Sequence, residues 1–147
     1  MAEVRHRVGI DGAIDKIFSM LTTNEGFSGW WASSAAITAQ TGGRAELGFS
    51  GLTVLSFEYL EIRANAKVAL RCIKGPPPWQ GSELVFELEQ AADQVFVTLS
   101  HQNRAASDED FLYFSTKWPC YLLSLKALLE TGKGRPYPDD IKIHIGD

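Results

Sequence analysis

The sequence predicts an α+β domain in which a curved antiparallel sheet of about six or seven strands packs on one long C-terminal helix, with two short helices after the first strand. Three observations carry that expectation. The chain opens on a period-two alternation; residues 33–101 keep a strand-like period broken by glycine-bearing turns; residues 111–129 change to spacings of three and four.

Val4, His6, Val8 and Ile10 fall on one face of the opening segment and Arg5 and Arg7 on the other, as in a half-buried strand. Asp11 then reads as a cap for a short amphipathic helix carrying Ile14, Ile17, Phe18 and Leu21. Asn24 offers a second cap, and Gly26 and Gly29 restrict the next segment to a helical turn and then a loop bearing Trp30 and Trp31. Strands are expected over 33–39, 44–49, 52–61 and 66–73, divided by Thr41-Gly42-Gly43, Ser50-Gly51 and Arg63-Ala64-Asn65. Gly75-Pro76-Pro77-Pro78-Trp79-Gln80-Gly81 is a stiff loop presenting an aromatic ring. Leu84, Phe86 and Leu88, then Val95, Val97, Leu99 and His101, mark the inward faces of two neighbouring strands.

Ser107 and Asp110 have the spacing of a capping pair for the last helix, whose apolar stripe runs Phe111, Phe114, Trp118, Leu122, Leu125 and Leu129. Pro119 inside it predicts a kink near 115–118 or a short helix abutting a longer one. Gly132 and Gly134 end the helix, 135–140 is extended, and 141–147 is at most an edge strand or a disordered end.

Composition bounds the function. At 147 residues, 45% hydrophobic and 11% aromatic, the chain matches a single domain spanning 1–147. Its net charge of −4 comes from charges scattered along the chain, and no Lys/Arg block supplies a phosphate footprint, so nucleic acid is not expected as a partner. The start Met1-Ala2-Glu3-Val4-Arg5-His6 leads into alternating residues and lacks a leader pattern, and no apolar run is long enough for a membrane span. Cys72 and Cys120 show no metal spacing and read as buried thiols, which fits the cytoplasm. No metal-ligand spacing, phosphate-cradling loop, nucleophile elbow or dinucleotide fingerprint is present, so no cofactor is expected.

The segments Ile17-Phe18-Ser19-Met20-Leu21-Thr22 with Gly29-Trp30-Trp31, Thr41-Gly42-Gly43-Arg44, Val97-Thr98-Leu99-Ser100-His101, and Lys117-Trp118 leading to Leu122, Leu125-Lys126, Leu129-Glu130 and Gly132 span nearly the whole chain. In that order the sequence resembles the START-like SRPBCC superfamily, in particular the branch homologous to the activator of the heat-shock-protein-90 ATPase. The resemblance implies the helix-grip (START/Bet v-like) fold. It leaves function open, because the superfamily includes lipid and hormone carriers, aromatic-polyketide cyclases and chaperone-associated domains on one scaffold.

Given that scaffold, the inward positions Phe49, Leu55, Phe57, Leu70, Phe86, Val97, Phe114 and Trp118 define a candidate apolar cavity, although the same residues also describe an ordinary packed core. Trp30, Trp31 and Trp79 are expected on loops at its mouth. His101 is the inward polar residue, able to orient a ligand or serve as acid or base, or simply to bond backbone at a strand end. Cys72 reads as a small buried hydrophobe. Glu58, Glu61, Glu83, Glu87 and Glu89 read as solvated strand faces, with Lys67 and Arg71 as cross-strand partners.

Three functions remain. The first is a binder of a small hydrophobic molecule without defined catalysis. The second is a chaperone-associated interaction domain, and the third a polyketide cyclase or dehydratase using His101. Either a monomer or a homodimer is compatible with the sequence.

Overall fold

Alternation makes β1 (Glu3–Ile10) a strand with Val4 and Ile10 buried and Glu3, Arg5 and Arg7 exposed. In the computed structural model residues 3–147 are described. The expectations drawn from the start Met1-Ala2 and for a domain spanning 1–147 thus involve two residues that lie outside the described ones.

After β1 the chain forms α1 (Ile14–Ser19) and α2 (Asn24–Trp30), then β2 (Ser34–Ile37), β3 (Arg44–Gly48), β4 (Val54–Arg63), β5 (Lys67–Lys74), β6 (Glu83–Gln90), β7 (Val95–Gln102) and α3 (Asp108–Thr131). The sheet is antiparallel throughout, in the order β1-β7-β6-β5-β4-β3-β2. Its first and last strands are neighbours, so α1 and α2 carry the chain from one edge of the sheet to the other. The expected inward rows are in register: His101 lies opposite Val4 and Leu84, Leu99 opposite His6 and Phe86, and Val97 opposite Val8 and Leu88. Irregularities in the β4–β5 pairing at Ser56/Phe57 and Tyr59/Glu61 bend the sheet, as extra residues in a ladder do. The strand carboxylates find the expected basic neighbours, Glu61 with Lys67 at 3.0 Å and Glu83 with Arg71 at 3.5 Å.

α3 is gripped by this sheet. Ser107 accepts from the Asp110 amide while the Asp110 carboxylate accepts from the Ser107 amide, a complete capping box. At the other end Gly132 takes the left-handed conformation, φ 83°, that closes a helix. The expected division at Pro119 does not occur, and α3 is one helix of 24 residues. Pro119 cannot donate to the carbonyl one turn earlier; that carbonyl belongs to Ser115, which is exposed and can bond water instead.

Three further local expectations are corrected. Asp11 caps nothing: α1 begins after Ala13, which makes no side-chain capping bond, and the Asp11 amide donates to Glu130 Oε2 at 2.9 Å. The cap of α2 is Thr23, whose hydroxyl accepts from the Gly26 amide, while Asn24 Oδ1 accepts from the Ile37 amide on the outer strand. The segment carrying the tryptophan pair is helix to Trp30, not a turn followed by a loop. Gly26 is required there by packing, since a Cβ on it would stand 2.5 Å from the Met20 Cα.

The C-terminal residues form neither an edge strand nor a disordered end. They fold back as a strap over the end of the sheet, with the Tyr137 amide bonded to the Trp31 carbonyl at 2.9 Å and the Arg135 amide to Ser124 Oγ at 2.7 Å. Ser124 Oγ in turn donates to the Trp30 carbonyl, tying α2, α3 and strap together.

Replacing glycine by alanine inside a helix ordinarily stabilises by about 0.5–1 kcal/mol. For Gly26→Ala the sign should reverse, with a loss above about 1 kcal/mol in urea unfolding, because the new methyl meets backbone that cannot move aside. A neutral or stabilised variant would show that α2 is not pressed on Met20.

Candidate functional site

The inward rows and the α3 stripe meet in an interior filled by side chains. Trp30, Phe57, Leu70, Phe86, Val97, Phe114 and Trp118 are all buried in one continuous core. Trp31 is buried at the end of α2, with its ring 5.3 Å from Trp118, 5.4 Å from Tyr121, 5.9 Å from Phe57 and 5.9 Å from Trp79. The placement of Trp30 and Trp31 on loops at a pocket mouth is therefore corrected: both pack inside, because the helix they end points them at the sheet. Trp79 does lie on the β5–β6 loop and is half-buried.

His101 is fully buried, and both its ring nitrogens are engaged. Trp118 Nε1 donates to His101 Nδ1 at 2.9 Å. An indole can only donate, so the neutral ring carries its proton on Nε2, which bonds Ser82 Oγ at 2.8 Å. Asn103 Nδ2 reaches the same oxygen at 3.0 Å and the carbonyls of Pro78 and Gln80 at 3.0 Å. This network fixes the proline loop, and Trp79 is stacked on His101 with ring centres 5.2 Å apart. His101 thus positions Trp79 and presents no free nitrogen. Cys72 is likewise buried, and burial pushes its thiol up to about 11. Cys120 is a free thiol that is only half-buried, more open than expected.

Packing fails at one end of the core. There a hollow of about 150 Å³ opens between the β3–β4 turn, the proline loop, α3 and the strap. Phe49, Leu55 and Trp79 from the expected set line it, joined by Tyr113, Tyr121 and Tyr137, which sequence reasoning did not select. The remaining expected residues stand in the core behind it. A signal for two of the three tyrosines was present: Tyr113, Lys117 and Tyr121 recur at intervals of four, a second α3 stripe beside the apolar one.

The middle member of that stripe holds the strap. Lys117 Nζ, 1% exposed, donates to Asp140 Oδ2 at 2.7 Å, the Ile141 carbonyl at 2.6 Å and Asp147 Oδ2 at 3.0 Å. Burial opposes its charge, but the two carboxylates outweigh burial and hold its pKa above the ordinary lysine value. Asp140 and Asp147 are disfavoured by burial as anions but brought below the ordinary aspartate value, Asp140 by Lys117 and then Lys142, Asp147 by the Tyr113 hydroxyl, the Ile143 amide and then Lys117. Among the described residues no cluster of three or more His, Cys, Asp or Glu could hold a metal ion, and no helix is long and apolar enough to cross a membrane.

A family model described as Activator of Hsp90 ATPase homolog 1-like protein matches residues 11–130. The Aha1 dimer from Colwellia psychrerythraea is similar in structure, with 32% identity, a TM-score of 0.81, and coverage of 91% of this chain and 100% of that one. DynU16, from the dynemicin biosynthetic locus, has a TM-score of 0.81 at 16% identity over 90% of this chain and 48% of its own. CalU16 from Micromonospora echinospora has a TM-score of 0.70 at 18% identity over 88% and 82%. At those identities the last two share the fold alone. No curated protein sequence matches.

Burial sets a pH response. It lowers the His101 pKa from 6.5 to about 4, so between these values the unfolded chain binds a proton that the native chain refuses. This contribution is complete above pH 6.5 and is lost as pH falls toward 4, before the strap carboxylates titrate. The expected decrease is roughly 3 kcal/mol in urea unfolding across that interval. A flat stability profile from pH 6.5 to 4.5 would show that the ring is not held neutral.

Proposed function

The chain belongs to the Activator of Hsp90 ATPase homolog 1-like family, and from that membership and the hollow together we propose that it is a binding domain for a small hydrophobic molecule. The observation that carries this reading is the aromatic hollow itself, which leaves Phe49, Leu55, Trp79 and three tyrosines around a space that the chain does not fill. Its size sets the scale of the ligand. Drug-sized sites enclose about 300–1,000 Å³, whereas an apolar cavity near 150 Å³ accommodates benzene. A lipid or a steroid would require the aromatic core to move. A single ring would not.

No proton-transfer group faces the hollow from the position given to His101, which favours binding over the cyclase or dehydratase reading. The test is a titration with toluene, ethylbenzene and indole followed by two-dimensional NMR. Shifts confined to Phe49, Leu55, Trp79 and Tyr137 and their neighbours are expected. If no one-ring probe perturbs these residues, or if perturbations fall elsewhere, the binding reading fails.

A second reading is favoured by a separate observation. Leu52 and Leu112 are 76% and 64% exposed and, with Ile145, stand at the hollow and at the wider groove beside it. Large apolar side chains gathered on one face mark interaction surfaces. The family description names an ATPase activator of Hsp90, so the partner proposed for this face is the chaperone of the same host. A Leu112→Asp, Ile145→Asp double variant should then lose stimulation of that ATPase while its thermal midpoint stays within a few degrees. Equal stimulation by variant and parent would eliminate this face as the docking surface. Sedimentation velocity on the same pair decides whether the face instead joins two copies of this chain; the Colwellia relative is described as a dimer.

A further inference from the structure

The charged groups at the strap end of the hollow, Asp140 and Asp147 with Lys117 behind them, are committed to one another. Lys117 has three N–H donors and three acceptors, Asp140, the Ile141 carbonyl and Asp147, so it has none left for a ligand anion. Asp140 receives Lys117 on one oxygen and Lys142 on the other, at 2.6 Å. Asp147 receives the Tyr113 hydroxyl on one oxygen and, on the other, Lys117 together with the Ile143 amide. Two carboxylates facing two ammonium groups leave this end of the hollow without net charge. A cation would find no unpaired carboxylate, and an anion no free ammonium.

Tyr121 is different. It lines the hollow, and among the described residues no protein acceptor takes its hydroxyl proton. Beside it lies Trp31, whose buried indole N–H is one of the polar atoms left without a hydrogen bond. That indole favours the phenolate, but burial is the larger influence and raises the Tyr121 pKa, so the group remains a neutral donor near pH 7. The walls opposite are Phe49, Leu55, Pro76 and Trp79. Thr53 and Tyr137 also line the hollow with hydroxyls that find no protein partner among the described residues, but Tyr121 is the one packed against the core rings Trp31 and Trp118, whereas Tyr137 packs on Phe49 and under Lys142. The site therefore combines an apolar slot the size of one ring with an uncommitted donor on its core side.

Building on the binding reading above, we infer that the hollow takes a neutral molecule with a single aromatic ring and a carbonyl or ether oxygen that accepts the Tyr121 proton. The class excludes carboxylates, amines and multi-ring ligands, and it assigns Tyr121 as the residue that sets polarity specificity.

Acetophenone, ethylbenzene, benzoate and benzylamine share a ring and differ in the polar group, and NMR titration gives a Kd for each. The parent chain should bind acetophenone between about threefold and tenfold more tightly than ethylbenzene, the net effect of one hydrogen bond exchanged with water. Benzoate and benzylamine should not saturate the site. Tyr121→Phe should weaken acetophenone alone and erase the difference, while Tyr137→Phe should preserve it. Equal affinities for acetophenone and ethylbenzene in the parent chain, saturation by either ion, or selectivity lost with Tyr137 instead of Tyr121 would overturn the ligand class while leaving the hollow a binding site. Failure of both neutral probes to bind would remove the site and the class together. The parent-chain comparison decides even if a tyrosine variant does not fold.

Discussion

The Trp31 indole is the constraint on which the rest of the arrangement depends. It ends α2 and packs against rings from α3, the sheet and the proline loop at once, through Trp118, Tyr121, Phe49, Phe57 and Trp79. Its carbonyl receives the Tyr137 amide of the strap. Burying an indole removes some 150–250 Å² from water, worth about 4–6 kcal/mol at the usual coefficient. A side chain of that size at the junction of four elements fixes their spacing. Helix α2 must also approach α1 closely enough to deliver it, which is why Gly26 has no room for a methyl against Met20.

The strap is held by a different kind of force. A buried ammonium is costly unless paired and fully bonded, and Lys117 has both conditions met only while residues 140–147 stay folded back. Its stabilising value lies mainly in what breaking it would leave behind, an uncompensated charge in an apolar setting. The family match stops at residue 130, so Asp140 and Asp147 come from beyond the matched region while Lys117 lies within it. The same residues that fasten the strap also close the polar end of the hollow, so attachment of the strap and the electrostatics of the hollow are one arrangement.

What was legible in the sequence was whatever depends on a period. Strand parity placed His101, Leu99 and Val97 inward, and the three-and-four spacing placed Phe114, Trp118 and Leu122 against the sheet, because one buried face admits one register. The Ser107–Asp110 capping box was legible because it is strictly local. The reading went astray where a residue serves a distant partner. Gly26 resembles a helix breaker until the Met20 backbone beside it is known, Asn24 resembles a cap until Ile37 claims its side chain, and the tail looks unsupported until Lys117 is seen beneath it. The hollow was located only in part for the same reason. Phe49, Leu55 and Trp79 carry apolar character that any periodic reading selects, whereas Tyr113, Tyr121 and Tyr137 acquire their role from a strap that crosses the sheet end.

This distribution of volume separates fold from function. A curved sheet and a long helix of this kind can enclose a large cavity, yet here Trp31, Trp118, Phe57 and Phe86 occupy the interior, and the Trp79 ring, pinned through His101, Ser82 and Asn103, closes it from the loop side. Among the described residues the packed interior gives way at the hollow of about 150 Å³, where aromatic walls meet a neutralised polar layer. Specificity there must come from the few groups whose hydrogen-bonding capacity is still unspent. Lys117, Asp140 and Asp147 saturate one another, which leaves the lining hydroxyls of Thr53, Tyr121 and Tyr137, and of these Tyr121 is the one set against the core rings Trp31 and Trp118.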